Sequence, residues 1–437
     1  MSKRSVSFDP GAPHLALRFV LAGLAFAAAT ATGTPAAAQE ATSIQGFATA
    51  RLARIAPVMR AEIEKGTMPG AVTLIARNGK LVHVEAHGFL DSAKTRPMPR
   101  DAVFRGFSMT KPVVAVAALA LIEQGRLNLR DPLAQYFPEF KEMKVFIEVQ
   151  DERGRTTRVA VPAKRPILIW DLFRHTAGFT YAGSAPFPEL TAAYERADVE
   201  SRDTDVSNEE FVNRLAAIPL AYEPGTRWEY SVATDVLGLV VEKVVGKRLD
   251  LHLAETIFGP IGMKETSFQL RPEQAGRLAD AYDADPLKVE LWKASRPEQD
   301  PAKRYVHGGA GMLTTAEDYF RFAQMVLNGG ELDGVRILSR KSVGFMLSNH
   351  IQGLIGSPLP TTGPGYGFGL GWGVRLAEGG GYAPGSPGDA MWAGAGGTSF
   401  TVDRQEGIVG VIMTAGPSTR QHTRFLFKDL LYGALTE

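Results

Sequence analysis

The sequence contains no cysteine. This absence excludes disulfides, a cysteine-ligated zinc site and a thiol nucleophile. An excess of charge of one sign is also missing, because 48 lysines and arginines stand against 47 aspartates and glutamates and leave a formal net charge of +1. No nucleic-acid partner is therefore expected. The remaining composition is ordinary for a globular enzyme built as one large domain or two closely packed ones.

The first long apolar run lies near the N-terminus. Basic residues precede an apolar run at residues 19–29, and three alanines ending at Ala38 form a small-residue cleavage pattern. We therefore expect a signal peptide over residues 1–38, a mature domain over 39–437 and a periplasmic or secreted protein. The run is shorter than the roughly 20 residues that span a bilayer, and no later run is longer, so no membrane span is expected in the mature chain.

Ser108 and Lys111 open the apolar run at residues 112–122. If the run is a helix, the two side chains lie on one face and within reach of each other. A serine hydroxyl needs a neighbouring base to become a nucleophile, and a lysine amine can supply it. The structural alternative is a serine that caps the helix beside a solvated lysine. The spacing alone leaves both interpretations open.

The order of elements predicts sheet-forming parts on both sides of a mostly helical one. A helix is expected at residues 47–65, followed by strands at 71–77 and 81–86 joined by Asn78-Gly79, a pair typical of a type I′ hairpin turn. The later expected elements are a hairpin at 145–149 and 157–161, helices at 169–174, 208–217 and 232–245, a loop at 181–207, a helix at 316–327 capped by Thr314, short strands at 365–374, 391–394, 398–403 and 407–414, and a helix at 422–435.

His83 and His87 lie in and just beyond the second predicted strand. We interpret them as histidines on the surface of the sheet, because the sequence shows no carboxylate cluster that would complete a metal site with them. No metal site is therefore predicted, and neither histidine is given a role.

Three short motifs carry a family resemblance. They are Ser108-Met109-Thr110-Lys111, Tyr230-Ser231-Val232 and Trp392-Ala393-Gly394, and the segments at 170–178 and 308–318 match connecting segments of the same family. In these motifs, in this order, the chain resembles the serine β-lactamase and penicillin-binding-protein superfamily along nearly its whole mature length. It is most similar to the class C β-lactamase-like esterases, the family VIII carboxylesterases.

The resemblance implies an α+β, two-lobed fold of the β-lactamase/transpeptidase type. An antiparallel sheet would be flanked by the N- and C-terminal helices. A mostly helical lobe at about 112–300 would be inserted between sheet-forming parts at 47–107 and 306–437. The sequence does not indicate a role for the hairpin region at 141–165 or for the loop at 181–207, nor an oligomeric state.

The resemblance also implies a set of catalytic residues. Ser108 would be the nucleophile, Lys111 and Tyr230 would share its proton, and the backbone N–H groups of Ser108 and Ala395 would form an oxyanion hole. For Tyr230 the structural alternative is a half-buried aromatic residue with an exposed hydroxyl. The implied enzyme uses no metal and no cofactor.

Two positions depart from the β-lactamase pattern among the residues expected to bind substrate, Val232, Trp392, Ala393 and Gly394. Val232 replaces an asparagine that binds a substrate amide, and Trp392 replaces a basic residue that attracts a substrate carboxylate. A neutral ester needs neither group, and an aromatic side chain at the mouth of the site would favour an apolar acyl or alcohol moiety. Arg420 or His422, folded back toward the site, would restore a cation and with it weak β-lactamase activity.

The sequence therefore predicts a serine hydrolase that cleaves small-molecule carboxylic esters through an acyl-enzyme. The alternative enzyme is a β-lactamase or a D-amino-acid-specific peptidase. A non-catalytic scaffold of the same fold is the alternative outside enzymes. The presence of Ser108, Lys111 and Tyr230 together argues against the scaffold, since a protein without turnover has no chemical need for all three.

Overall fold

The computed structural model describes residues 43–200, 206–293 and 305–437. The predicted signal peptide lies outside these residues. The strands are β1 (Ser43–Ile44), β2 (Phe47–Ala48), β3 (Gly70–Arg77), β4 (Lys80–Gly88), β5 (Phe104–Arg105), β6 (Lys144–Gln150), β7 (Thr156–Pro162), β8 (Leu313–Thr314), β9 (Glu331–Leu332), β10 (Val335–Arg336), β11 (Tyr366–Phe368), β12 (Gly373–Arg375), β13 (Ala390–Ala393), β14 (Ser399–Asp403) and β15 (Ile408–Thr414).

The α-helices fall between and after these strands. They are α1 (Thr49–Leu52), α2 (Ile55–Glu64), α3 (Thr110–Glu123), α4 (Ile169–Phe173), α5 (Pro188–Ala197), α6 (Asn208–Ala216), α7 (Ala233–Val245), α8 (Leu249–Leu253), α9 (Lys288–Lys293), α10 (Ala316–Leu327), α11 (Arg340–Met346), α12 (Leu359–Thr362) and α13 (Arg420–Ala434). Among the described residues, no helix is both long enough and apolar enough to cross a membrane.

A seven-stranded antiparallel sheet forms the frame, in the order β11-β12-β13-β14-β15-β3-β4. Strands from the two ends of the chain meet where β3 pairs with β15. The predicted hairpin of β3 and β4 is confirmed, and both turn residues, Asn78 (φ 51°) and Gly79 (φ 77°), have the positive φ of a type I′ turn. The predicted fold class is confirmed: the sheet and its helices have the β-lactamase/transpeptidase-like arrangement.

The terminal helices cover one face of the sheet. Apolar side chains of α2 and α13 are buried against β3 and β15, with Met59, Ile75, Ile412 and Phe427 in one cluster. On the other face α10 packs against β14, β15 and β3. The sheet is thus covered on both faces, and its inner strand β15 is buried along its whole length.

Helix α3 lies at the centre of the second, larger core. Eleven of its fourteen residues are buried. A helix that is apolar on all faces must be enclosed by other elements. One of the elements that pack against α3 is α7. The predicted hairpin beside this helical part is confirmed as β6 and β7.

Several sequence predictions were wrong in detail. The predicted loop at 181–207 contains α5. Its buried face consists of only two residues, Leu190 and Tyr194, so the sequence shows little helical periodicity there. The glycine-rich segment at 365–374 is not one strand but two, β11 and β12, which pair with each other. The predicted first helix is divided into α1 and α2, and the N-cap of α10 is Thr315, whose side chain accepts a hydrogen bond from the N–H of Asp318.

The histidines of β4 are not exposed on the sheet surface. His83 is 9% exposed and His87 is 5% exposed. They lie on the face of the sheet that α2 covers, which the sequence pattern of a short polar strand does not reveal.

Candidate active site

Ser108 lies in a 3₁₀ turn, Phe107–Met109, that runs directly into α3. The turn begins with an unusual backbone conformation, because Phe107 has a φ of 44°. A bulky residue in the left-handed region costs free energy, and such residues are concentrated at functional sites. The Phe107 ring is buried and packs at 5.7 Å from the ring of Trp292 in α9. The turn leaves Ser108 partly exposed while its neighbours on both sides are buried.

Lys111 is the second residue of α3 and is almost completely buried. Its Nζ donates hydrogen bonds to Ser108 Oγ at 3.4 Å, to Tyr181 Oη at 3.2 Å and to the carbonyl oxygen of Gly309 at 2.8 Å. All three of these acceptors are uncharged oxygens. Lys111 is therefore held in one orientation beside the serine hydroxyl.

Tyr230 approaches Ser108 from the segment that precedes α7. Its hydroxyl donates a hydrogen bond to Ser108 Oγ at 2.7 Å, and Lys111 Nζ lies 4.7 Å from the centre of its ring. The ring is fixed by other aromatic rings with centroids 4.9–6.2 Å away, those of His175, Trp392, Tyr181 and Trp228. We call Ser108, Lys111, Tyr230, Tyr181 and the Gly309 carbonyl the Ser108 cluster.

The Gly309 carbonyl is held in place by Asp235 in the first turn of α7. The N–H of Gly309 donates a hydrogen bond to Asp235 Oδ1 at 3.0 Å, and a Cβ at position 309 would lie only 2.3 Å from Asp235 Oδ2. Position 309 therefore has room for glycine alone. The buried carboxylate fixes the peptide that orients Lys111.

His175 packs against the ring of Tyr230, with ring centroids 4.9 Å apart. It lies in a turn with a φ of 54°, and the buried carboxylate of Asp171 shapes this turn by accepting hydrogen bonds from Thr176 Oγ1 and the guanidinium of Arg165. The carbonyl of His175 accepts a hydrogen bond from the N–H of Glu229, next to Tyr230. Burial, reinforced by the nearby Lys111 ammonium, holds the pKa of His175 well below its usual range. The imidazole is therefore neutral under Tyr230.

Trp392 and Val232 are not exposed at the mouth of the site. Each is only 1% exposed. Trp392, on β13, packs at 5.4 Å from Tyr230 and 5.2 Å from Phe368, while Val232 is the N-cap residue of α7 within the helical core. Trp392 thus lies beneath the cluster as a packing residue. A direct contact of these two residues with substrate stays a prediction.

The turn after β13 lies against the segment that carries Ser108. A Cβ at Gly394 would lie 2.5 Å from the carbonyl oxygen of Gly106, so the two backbones touch. The turn is closed by a hydrogen bond from Gly394 N–H to the Thr398 carbonyl at 2.8 Å. Ala395 is in this turn and is partly exposed, as Ser108 is, whereas Ala393 is buried. The predicted oxyanion-hole pair, Ser108 and Ala395, is therefore on adjoining segments.

With the geometry described, comparison with known proteins decides the family. A family model described as Beta-lactamase matches residues 55–431. The chain belongs to the β-lactamase family. Protein Rv1367c of Mycobacterium tuberculosis is 34% identical over 354 residues, which cover 79% of this chain and 85% of that protein.

Two relatives within this family have names that state an activity. Esterase EstB of Burkholderia gladioli is 30% identical over 405 residues, covering 87% of this chain and 94% of EstB. The solved structure of "EstCE1, a hydrolase with promiscuous acyltransferase activity" superposes with a TM-score of 0.70 at 27% identity and covers 88% of this chain and 98% of EstCE1. The chain is thus a hydrolase of the β-lactamase fold.

Sequence reasoning missed several residues of this β-lactamase-family site. Tyr181 begins the segment 181–207, for which the sequence predicts only a loop. Gly309 lies in the segment 308–318, which resembles a family segment, but the sequence does not show that its carbonyl accepts a hydrogen bond from Lys111. On α13, Arg424 interacts electrostatically with Tyr230. Burial lowers the pKa of Arg424 to about 9, with Arg420 adding to the effect and Tyr230 opposing it. Arg424 is 5% exposed and donates to the Thr361 carbonyl, whereas His422 pairs with Glu62.

Proposed function

We propose that this protein is a serine carboxylesterase that cleaves small-molecule esters through an acyl-enzyme. The observation that carries the proposal is the pair of hydrogen bonds to Ser108 Oγ, from Tyr230 Oη at 2.7 Å and from Lys111 Nζ at 3.4 Å. Two proton-exchanging groups on one half-exposed hydroxyl are the arrangement that activates a serine nucleophile.

In the first half-reaction Ser108 Oγ attacks the ester carbonyl carbon. Its proton passes to the Lys111–Tyr230 pair and then to the leaving alcohol. To accept this proton, either Lys111 or Tyr230 must be deprotonated. Because the two groups are coupled, the missing proton is assigned to the pair and not to one residue. The backbone N–H groups of Ser108 and Ala395 stabilise the oxyanion, each contributing about 3 kcal/mol. Water then attacks the acyl-enzyme by the reverse proton path and releases the acid.

Preference for esters over β-lactams rests on what surrounds the Ser108 cluster. Trp392 occupies the position of the basic residue that would attract a substrate carboxylate, and Val232 that of the amide-binding asparagine. Arg424 is too deeply buried to take over the role of that basic residue. The ester-cleaving relative EstB and the hydrolase EstCE1 support the same substrate class.

The proposal is tested with a short-chain p-nitrophenyl ester, a chromogenic cephalosporin and a D-alanyl-D-alanine peptide. Wild-type protein is expected to cleave the ester fastest. A fluorophosphonate should add one label, located at Ser108 by mass spectrometry, and Ser108→Ala should lose both label and turnover, whereas the exposed control Ser348→Ala keeps them. Faster cleavage of the cephalosporin or peptide would instead favour a β-lactamase or peptidase. Label without turnover of any substrate would support the scaffold.

We also propose that the protein acts outside the cytoplasm. The support is the basic, apolar and alanine-rich pattern ending at Ala38. N-terminal sequencing of the protein recovered from the extracytoplasmic fraction is expected to begin at Gln39. An intact N-terminus in the cytoplasmic fraction would contradict export.

A further inference from the structure

A cluster on the edge strand β4 lies apart from the Ser108 cluster and has no part in the proposed reaction. It consists of Thr73 on β3 and His83, Glu85 and His87 on β4, and we call it the His83 cluster. In the register of the two strands, Ile75 lies opposite His83, Thr73 opposite Glu85 and Ala71 opposite His87. Since side chains alternate along a strand, the three β4 residues and Thr73 are on one face.

The Nε2 atoms of both histidines converge on one point. His83 Nε2 lies 2.8 Å and His87 Nε2 lies 3.0 Å from Thr73 Oγ1. Glu85 Oε2 lies 4.0 Å from His87 Nε2, and one ligand atom from each of the three residues lies within 4.8 Å of the others. A threonine hydroxyl donates one hydrogen bond and accepts others, so one imidazole accepts from Thr73 Oγ1 while the other donates to it. Thr73 thus holds both imidazole nitrogens close together, with the Glu85 carboxylate beside them.

The two histidines are held by burial, whereas Glu85 is exposed. His83 and His87 are almost fully buried, whereas the Glu85 side chain is 47% exposed. Burial lowers the pKa of each imidazole to about 4, with His87 adding to the effect on His83 and Arg60 adding to that on His87. Neutral imidazoles have a free lone pair, which is what a metal ion binds.

We propose that His83, Glu85 and His87 form a binding site for one divalent transition-metal ion of the zinc type. Two imidazole nitrogens and one carboxylate are a ligand set that Zn²⁺ accepts, with the fourth position left to water or to Thr73 Oγ1. Alkaline-earth ions prefer oxygen ligands and do not fit two imidazoles. The alternating spacing of the three residues is visible in the sequence, but the burial of both histidines and their convergence on Thr73 appear only in the folded sheet.

The fit also sets the affinity. Bonds of about 2.0–2.1 Å place tetrahedral ligand atoms about 3.3 Å apart, so the ligands must close by up to about 1.5 Å from their present separation. Glu85 makes most of this movement, since its side chain is exposed. Arg60 on α2 faces His87 and opposes the charge of the ion. We therefore expect micromolar rather than nanomolar binding, and a role in fastening the edge strand rather than in catalysis.

The experiment uses the mature full-length protein after treatment with a chelator. Co²⁺ is titrated while its visible absorption is followed, and Zn²⁺ is then added in competition. One equivalent is expected to bind, and Zn²⁺ should raise the melting temperature by a few degrees. His83→Gln and His87→Gln should each weaken binding at least tenfold, and Glu85→Gln should weaken it severalfold. The control His252→Gln, on α8, should leave it unchanged.

Two results would overturn the proposal. One is the lack of saturable binding by the wild-type protein. The other is unchanged affinity in Glu85→Gln, a substitution at an exposed side chain that does not endanger folding and therefore decides the matter even if the buried histidine variants fail to fold. Esterase activity is not used as the readout, so failure of the ester proposal would leave this result unaffected.

Discussion

The Ser108 cluster and the His83 cluster each surround one hydroxyl with two groups that exchange protons. The His83 cluster is built on two paired strands, and its four residues are placed by hairpin register alone. The Ser108 cluster gathers groups from a 3₁₀ turn, the start of α3, the segment before α7 and a loop before α10. Substitutions away from the reacting atoms should therefore matter far more at the Ser108 cluster.

The largest effect is expected within the cluster, from Lys111. Lys111→Arg and Lys111→Ala should both lower kcat for a p-nitrophenyl ester by about 10²–10⁴-fold, because a guanidinium cannot accept the proton and alanine has no base. Circular dichroism checks that the variants fold. An arginine variant that keeps a tenth of wild-type kcat would remove Lys111 from the proton path.

The second-largest effect is expected from Gly309, which orients Lys111 without contacting substrate. Gly309→Ala puts a Cβ against the Asp235 carboxylate and displaces the carbonyl that orients Lys111, so kcat/KM should fall about 10–100-fold. The matched control is Gly276→Ala, whose Cβ would enter open space. Equal activity of the two variants would contradict the expectation that the Ser108 cluster is sensitive to substitutions away from the reacting atoms.

Two buried tryptophans sharpen the same contrast. Trp392 packs on Tyr230, whereas the equally buried Trp372 packs on Phe322 and Phe400. Each change to phenylalanine should cost about 1–2 kcal/mol of stability, but only Trp392→Phe should also lower kcat, by about tenfold.

The ratio of ester to cephalosporin turnover should stay flat in Trp392→Phe, since neither side chain supplies the cation that would attract a cephalosporin carboxylate. Phenylalanine is the cleaner probe here, because a lysine at position 392 would bury an unpaired ammonium. A ratio that changes by more than severalfold would make Trp392 a specificity residue after all.

The smallest effect concerns His175 and pH. The folded state keeps the imidazole of His175 neutral, whereas in the unfolded chain it is protonated below pH about 6.5. Protonation therefore favours the unfolded chain, and the free energy of unfolding falls as pH drops below that value. In His175→Asn, a residue that tolerates positive φ, the loss of unfolding free energy between pH 6 and 5 should be smaller by up to about 1.4 kcal/mol. Denaturant titrations at both pH values measure it, and parallel curves for the two proteins would contradict it.

Much of the frame could be predicted because it depends on local patterns. Asn78-Gly79 demands a type I′ turn, and the apolar run after Ser108 demands an enclosed helix. The motifs around Ser108, Tyr230 and Trp392 located the candidate site. What lay beyond prediction depends on tertiary contacts: the hydrogen bond from Lys111 to Tyr181, the burial of Trp392 and the convergence of His83 and His87 arise only when distant segments or paired strands are brought together.

The contact between the turn after β13 and the segment before Ser108 has a consequence for synthesis. Thr398 Oγ1 reaches the Gly106 carbonyl across 292 residues of sequence. During synthesis Ser108 is made early, and the residues around Thr398 that support it are made late. A growing chain therefore contains Ser108 for most of its synthesis but has no complete active site. Because domains fold as units and such distant pairings close late, hydrolysis should begin only with a finished chain. A nascent or prematurely terminated product would then be harmless to esters in the compartment where it is made.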